Sequence, residues 1–136
     1  MRRTLKYSCL AVAISVGTVG CGKSQQPMLA GGKSVDHWVI ALRDSHVKVR
    51  EEAVAKLGNV GAADPSAIPA LIGALKDGSP QVRLGAIFAL AKSGRAAQRA
   101  IGLLSELQQH DQDPKVREYA AKGLKRLQNG DEVGAS

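Results

Sequence analysis

Valine, alanine and leucine recur at four-residue spacing in three stretches of this chain, each stretch led by an aspartate and containing an arginine. Val49, Ala53 and Leu57 follow Asp44 and enclose Arg50; Val82, Ala86 and Leu90 follow Asp77 and enclose Arg83; Val116, Ala120 and Leu124 follow Asp111 and enclose Arg117. Apolar positions four apart fall on one stripe of an α-helix, so each stretch predicts a helix with one face turned to a core. The copies begin 33 and 34 residues apart. A near-constant period of that size marks stacked supersecondary units, each unable to bury its apolar face alone.

The segments between the copies supply a second helix to each unit. Ser34 reads as the N-cap of a helix from Val35 to about Leu42, with Trp38, Val39 and Leu42 at helical spacing. The next helix runs from about Val47 to Val60, and Gly61 suits a left-handed C-terminal cap. Asp64-Pro65-Ser66 is a turn and a new cap, leading to a helix over about Ala67 to Lys76 with Pro69 in its first turn. Ser79-Pro80 repeats the cap signal for a fourth helix that ends near Ser93, with Gly94 after it. A fifth covers Arg95 to about Gln109, and Asp113-Pro114 opens a sixth that runs to about Leu127. The expected fold is all-α: six helices in three hairpins, at about 34–61, 66–94 and 95–128, inside a domain of residues 34–128 followed by a polar tail, 129–136. Leu71 and Leu75 match Leu103 and Leu107 at 32 residues, two short of the period, so the last intra-repeat turn around Gln108 to His110 is expected to hold two extra residues.

The distribution of charge indicates which helices lie at the ends. The fourth helix, with Leu84, Ala86, Ile87, Phe88, Ala89 and Leu90, is apolar nearly all round, as a helix flanked on both sides should be. The second carries Lys48, Glu51, Glu52 and Lys56, and the sixth carries Lys115, Glu118, Lys122, Lys125 and Arg126. Those are capping faces. Trp38 matches Leu71 and Leu103 in the other units and is therefore expected in the core.

The unit of Asp, four residues, Val-Arg resembles HEAT repeats, in particular the short HEAT-like repeats of the phycobilisome-lyase type, over about Val35 to Leu127. The resemblance implies a right-handed α-α superhelix. It also implies a ladder of hydrogen bonds through successive repeats, in which Asp44, Asp77 and Asp111 pair with Arg50, Arg83 and Arg117. An aspartate in a turn can cap the following helix and accept two bonds from a guanidinium, so the chemistry is reasonable. Tetratricopeptide and ankyrin repeats share the period. The ankyrin Thr-Pro-Leu-His signature is absent here, and the tetratricopeptide set of Trp, Leu-Gly and Tyr does not recur.

The first twenty residues have a different character. Arg2, Arg3 and Lys6 precede an apolar run from about Ser8 to Val19 that ends in small residues at Gly20, the layout of a secretory signal peptide. That run falls short of the roughly 20 apolar residues a membrane-spanning helix needs. Thr18-Val19-Gly20-Cys21 resembles the lipobox of bacterial lipoproteins, in which the cysteine is acylated and becomes the first residue after cleavage. Thr18 departs from the usual leucine. Cys9 leaves with the signal, so the exported chain keeps one cysteine and no internal disulfide. Residues 21–33 then read as a lipidated cysteine and a flexible tether. The expected location is the periplasmic side of a bacterial membrane, lipid-anchored, with a soluble periplasmic or secreted protein as the alternative.

Composition narrows the function classes. The formal charge is +7, and loss of three basic residues with the signal leaves 16 basic against 12 acidic, or +4. Export, this mild charge and only Trp38, Phe88 and Tyr119 as remaining aromatics argue against nucleic-acid partners. Gly17 to Ser24 matches the P-loop pattern literally, but it straddles the expected cleavage site and lacks a preceding strand. His37, His46 and His110 have no metal-ligand spacing, and no serine sits in a nucleophile elbow. No catalytic residues, cofactor or metal are therefore expected. The expected function is a non-enzymatic, membrane-tethered scaffold that binds another protein, with Lys48, Lys92, Lys122 and Lys125 as candidate contacts. The alternatives are an accessory factor that positions an enzyme's substrate or cofactor, and a purely structural envelope protein.

Overall fold

The structure is a computed structural model and describes residues 29–130 of the 136. The signal, Cys21 and the end of the tail lie outside the described residues. A two-stranded antiparallel hairpin comes first, β1 (Leu29–Ala30) and β2 (Lys33–Ser34), joined by Gly31 and Gly32. Both glycines have positive φ, at 60° and 79°, which residues with a side chain rarely adopt. Six helices follow: α1 (Val35–Ala41), α2 (Val47–Val60), α3 (Ile68–Ala74), α4 (Pro80–Ser93), α5 (Ile101–His110) and α6 (Pro114–Asn129). They form the expected all-α array of three hairpins.

The array has two unequal layers. Helices α2, α4 and α6 pack directly on one another, and each carries a Val, Ala, Leu stripe inward. Their backbones approach closely because small residues sit at the crossings. A Cβ on Gly58 would lie 2.8 Å from the Ala89 Cβ, and one on Gly85 would lie 2.7 Å from Val54 Cγ1. The outer helices are spaced more widely. α1 reaches the 3-10 turn Pro65–Ala67 ahead of α3, and α3 reaches the 3-10 segment Gly94–Ala100 ahead of α5. Open clefts of about 320 and 550 Å³ remain between α1 and α3 and between α3 and α5. Close spacing on one side and clefts on the other bend the stack, with α2, α4 and α6 on the concave face.

One core runs the length of the array. Leu57, Leu71, Leu75, Leu90, Leu104 and Leu127 are all at most 1% exposed. Burying a leucine fully is worth roughly 1.5 to 3 kcal/mol, so these positions carry much of the stability. Trp38 is 4% exposed, as expected for a core residue, and its indole N–H donates to the Ala30 carbonyl at 2.7 Å. That bond ties the β hairpin down: residues 29–33, expected in the tether, are part of the folded unit, with Ala30 buried.

The structure departs from the sequence-based elements at four other points. Gly61 is right-handed, φ −58°, and a glycine stands there because a Cβ would meet the Ser93 hydroxyl at 2.9 Å. The segment 94–100 is 3-10 rather than α. Ala97 and Ala100 are both fully buried, and a three-residue turn sets residues three apart over one another. The two extra residues near Gln108 lengthen α5 through His110 instead of the turn, so Asp111 follows the helix directly. Ser79 makes no side-chain cap bond to α4; its hydroxyl donates to Gln81 Oε1, and Asp77 takes up the Ser79 N–H.

Candidate functional site

Two groups of side chains stand out, a charged ladder along one edge and the open surface of α2, α4 and α6. In the ladder, each repeat begins with the same turn. The carboxylates of Asp44, Asp77 and Asp111 accept from the backbone N–H two residues on, at His46, Ser79 and Asp113, at 2.8, 2.8 and 2.9 Å. These are Asx turns, and they aim the carboxylate along the edge. Each arginine sits one turn into the next helix and uses Nη1 on its own turn: Arg50 on the Asp44 carbonyl, Arg83 on the Asp77 carbonyl and Arg117 on the Asp111 carbonyl, at 2.8, 2.8 and 2.7 Å.

The carboxylate partner of each arginine belongs to the following repeat. Arg50 Nε and Nη2 donate to the Asp77 carboxylate at 2.8 and 3.1 Å, and Arg83 Nε and Nη2 donate to Asp111 at 2.8 Å each. The side-chain pairs therefore cross between repeats, while the contact inside a repeat goes to the aspartate's carbonyl. Burial pushes the pKa values of Asp77 and Asp111 up, but the arginine bonds, the Asx N–H and the nearby positive charges together hold both below the ordinary aspartate value. The Asp111 side chain is only 3% exposed. At the first repeat Asp44 meets no arginine side-chain pair among the described residues; His46 supplies its backbone N–H and ring nitrogen, and the Asp44 pKa is lowered chiefly by that backbone bond.

The concave surface is centred on Phe88. This ring is 51% exposed in the middle of α4, the most flanked helix of the array. Tyr119 of α6 packs on it, ring centroids 4.9 Å apart and tilted by 57°, and the Lys122 ammonium lies 4.7 Å from the Tyr119 ring. Leu84 is half-buried beside them. Acidic Glu51 and Glu52 project from α2, while exposed Lys92, Lys125 and Arg126 stand on α4 and α6. An aromatic centre with a charged rim is the usual anatomy of a protein-contact surface.

All four candidate lysines are exposed, Lys48 on α2, Lys92 on α4 and Lys122 and Lys125 on α6, and Lys125 holds the position that in α4 is Ala91, which packs on the next helix. Lys48 is held by Glu51 at 2.9 Å and Lys122 by Glu118 at 2.6 Å, so these two are already paired. Sequence patterning does not single out Phe88, because a helix apolar all round reads as buried, nor Tyr119, which lies on a helix dominated by charge. The signal was present in the repeat alignment: the Phe88 position is Ala55 in the first copy and Lys122 in the third. Positions that vary among otherwise regular copies face outward. Among the described residues, no three or more His, Cys, Asp or Glu side chains are grouped to hold a metal ion, and no helix is long and apolar enough to cross a membrane.

A family model described as HEAT repeats matches residues 35–131. The chain belongs to the HEAT repeat family. The match spans all six helices of the array, from α1 through the end of α6. HEAT repeats generally serve as scaffolds for protein–protein interaction and are typically non-catalytic. A search of curated proteins returned no match.

Proposed function

We propose that this HEAT protein is a non-enzymatic scaffold that binds another protein on the concave face of α2, α4 and α6. The carrying observation is Phe88, a half-exposed aromatic ring at the centre of that face, packed on Tyr119 and rimmed by charge. An exposed aromatic costs solvation in the free protein, and burying it against a partner recovers that. The reading extends to location. Arg2, Arg3 and Lys6, the apolar run and Cys21 support an exported chain held at a bacterial envelope membrane by acylation, with the repeats a short tether away.

Affinity capture from envelope extracts with the wild-type protein and with Phe88→Ala tests the contact surface. The substitution is expected to abolish capture of the partner while leaving the melting temperature within a few degrees. Undiminished capture would remove Phe88 from the reading. Mass analysis of the mature protein tests the anchor. A lipid mass on the wild-type chain that disappears in Cys21→Ser is the expected result, and an unmodified Cys21 contradicts it.

A further inference from the structure

Among the described residues, the third arginine of the ladder lacks the carboxylate partner its two counterparts have. Arg50 and Arg83 each present Nε and Nη2 as a fork to the aspartate of the next repeat. Arg117 is anchored as they are, through Nη1, to the carbonyls of Asp111 and Gln112 at 2.7 and 3.3 Å. Its Nε and Nη2 edge meets no carboxylate among the described residues. We propose that this edge of Arg117 is a carboxylate-receiving site, filled by an acidic Asx turn of a partner protein that adds the next rung to the ladder.

Three features favour that ligand. First, the guanidinium is pre-positioned: its Nη1 bonds already fix the plane, so little side-chain freedom is left to lose on binding. Second, the helix that carries it is cationic. Lys115, Lys125 and Arg126 are exposed on α6, and the one carboxylate within that helix, Glu118, is engaged by Lys122. Asp113 at the helix start is occupied by the N–H groups of Lys115 and Val116. Third, the two filled rungs define the shape of the incoming group. In both, the aspartate closes an Asx turn two residues before a Ser-Pro or Asp-Pro pair, as in Asp77-Gly78-Ser79-Pro80 and Asp111-Gln112-Asp113-Pro114.

A second copy of this chain stacked in register is a poor occupant, although its Asp44 also lacks an arginine. Inside the array the crossings use small residues, Gly58 against Ala89 and Ala91 against Gly123. The corresponding pair between two copies is Lys125 against Lys56, two long cations where the backbones must close. A turn from another protein reaches Arg117 without that approach. This site lies on the ladder edge and does not rest on the Phe88 reading.

The test is a side-chain NMR titration of the ¹⁵N-labelled full chain with a synthetic peptide of residues 109–116, which carries the Asp111 turn, and with the same peptide bearing Asp111→Asn. The Arg117 Nε–H signal is expected to shift saturably with the aspartate peptide, and about tenfold more weakly with the asparagine peptide, the cost of losing one charge-assisted pair. Arg50 and Arg83 signals should stay in place. The backbone amides of residues 115–118 should shift with the aspartate peptide in the wild type, and in Arg117→Lys, which keeps the charge but not the fork, those amide shifts should be lost while the peptide-free amide spectrum is otherwise unchanged. An Arg117 signal that ignores the peptide, or follows both peptides equally, overturns the proposal. Self-association in sedimentation that disappears in Asp44→Asn also overturns it, since the occupant would then be a second copy.

Discussion

The inner and outer layers of this array are built from the same number of helices under different constraints. α2 and α4 are 14 residues each and α6 is 16, all three start from an Asx turn, and they touch one another through glycine and alanine. The outer helices α1, α3 and α5 have 7, 7 and 10 residues, two are preceded by 3-10 segments, and clefts separate them. The inner layer must keep one geometry because each helix is locked to its neighbours by close contact and by the ladder. The outer layer only has to cover it. Regularity therefore marks the scaffold, and the variable positions on its exposed side mark where a partner can be read.

Core truncation should expose this difference most strongly. Leu90→Ala, at a fully buried position of α4, is expected to cost about 3 to 4 kcal/mol, and Leu103→Ala, half-buried on α5, about 1 to 2. Chemical denaturation measures both. Equal losses would mean that the half-buried position on α5 is packed as fully as the buried one on α4.

The ladder gives the next contrast. Arg83→Ala leaves the Asp111 carboxylate buried without its fork and should cost about 3 kcal/mol, whereas Arg117→Ala removes only carbonyl contacts and should cost about 1 kcal/mol or less. A pH series is an independent check. Asp77 and Asp111 have pKa values lowered in the folded state, so their contribution is fully present above the ordinary aspartate value near 3.9 and is lost as pH falls through the folded values. Stability should therefore drop on acidification below about pH 4, and the drop should be shallower in Arg83→Ala. Parallel curves for the two proteins would take the ladder out of the account.

Glycine substitutions should differ in sign between the layers. Gly58→Ala places a methyl 2.8 Å from the Ala89 Cβ and should destabilise by about 1 to 2 kcal/mol despite alanine's better helix propensity. Gly73→Ala, with nothing within 4 Å on α3, should stabilise by up to about 1 kcal/mol. Two changes of the same sign would show that the inner crossing relaxes freely.

What the sequence made legible follows the same division. The three Val, Ala, Leu stripes, their helices and the placement of Trp38 could be read directly, because a packing constraint that repeats leaves a period. The outer layer left a weaker trace, the match of Trp38 with Leu71 and Leu103 and of Leu75 with Leu107. The 3-10 turn through Ala97 and Ala100, the extension of α5 to His110 and the docking of Ala30 under Trp38 each depend on a single local contact. The ladder's residues were visible, but the offset by which Arg50 reaches Asp77 is a property of stacking and has no mark in one repeat. Phe88 was hidden for a different reason: hydrophobicity alone does not distinguish a ring facing a neighbour from one facing solvent.

That last point carries the functional claim, and site-specific photo-crosslinking in the living cell tests it most directly. A benzophenone side chain placed at Phe88 is expected to join the protein covalently to one partner, and the same group at Gly73 on the outer layer is expected to give none. Crosslinks from position 73 with none from position 88 would contradict the assignment of the concave face as the working surface of this HEAT array.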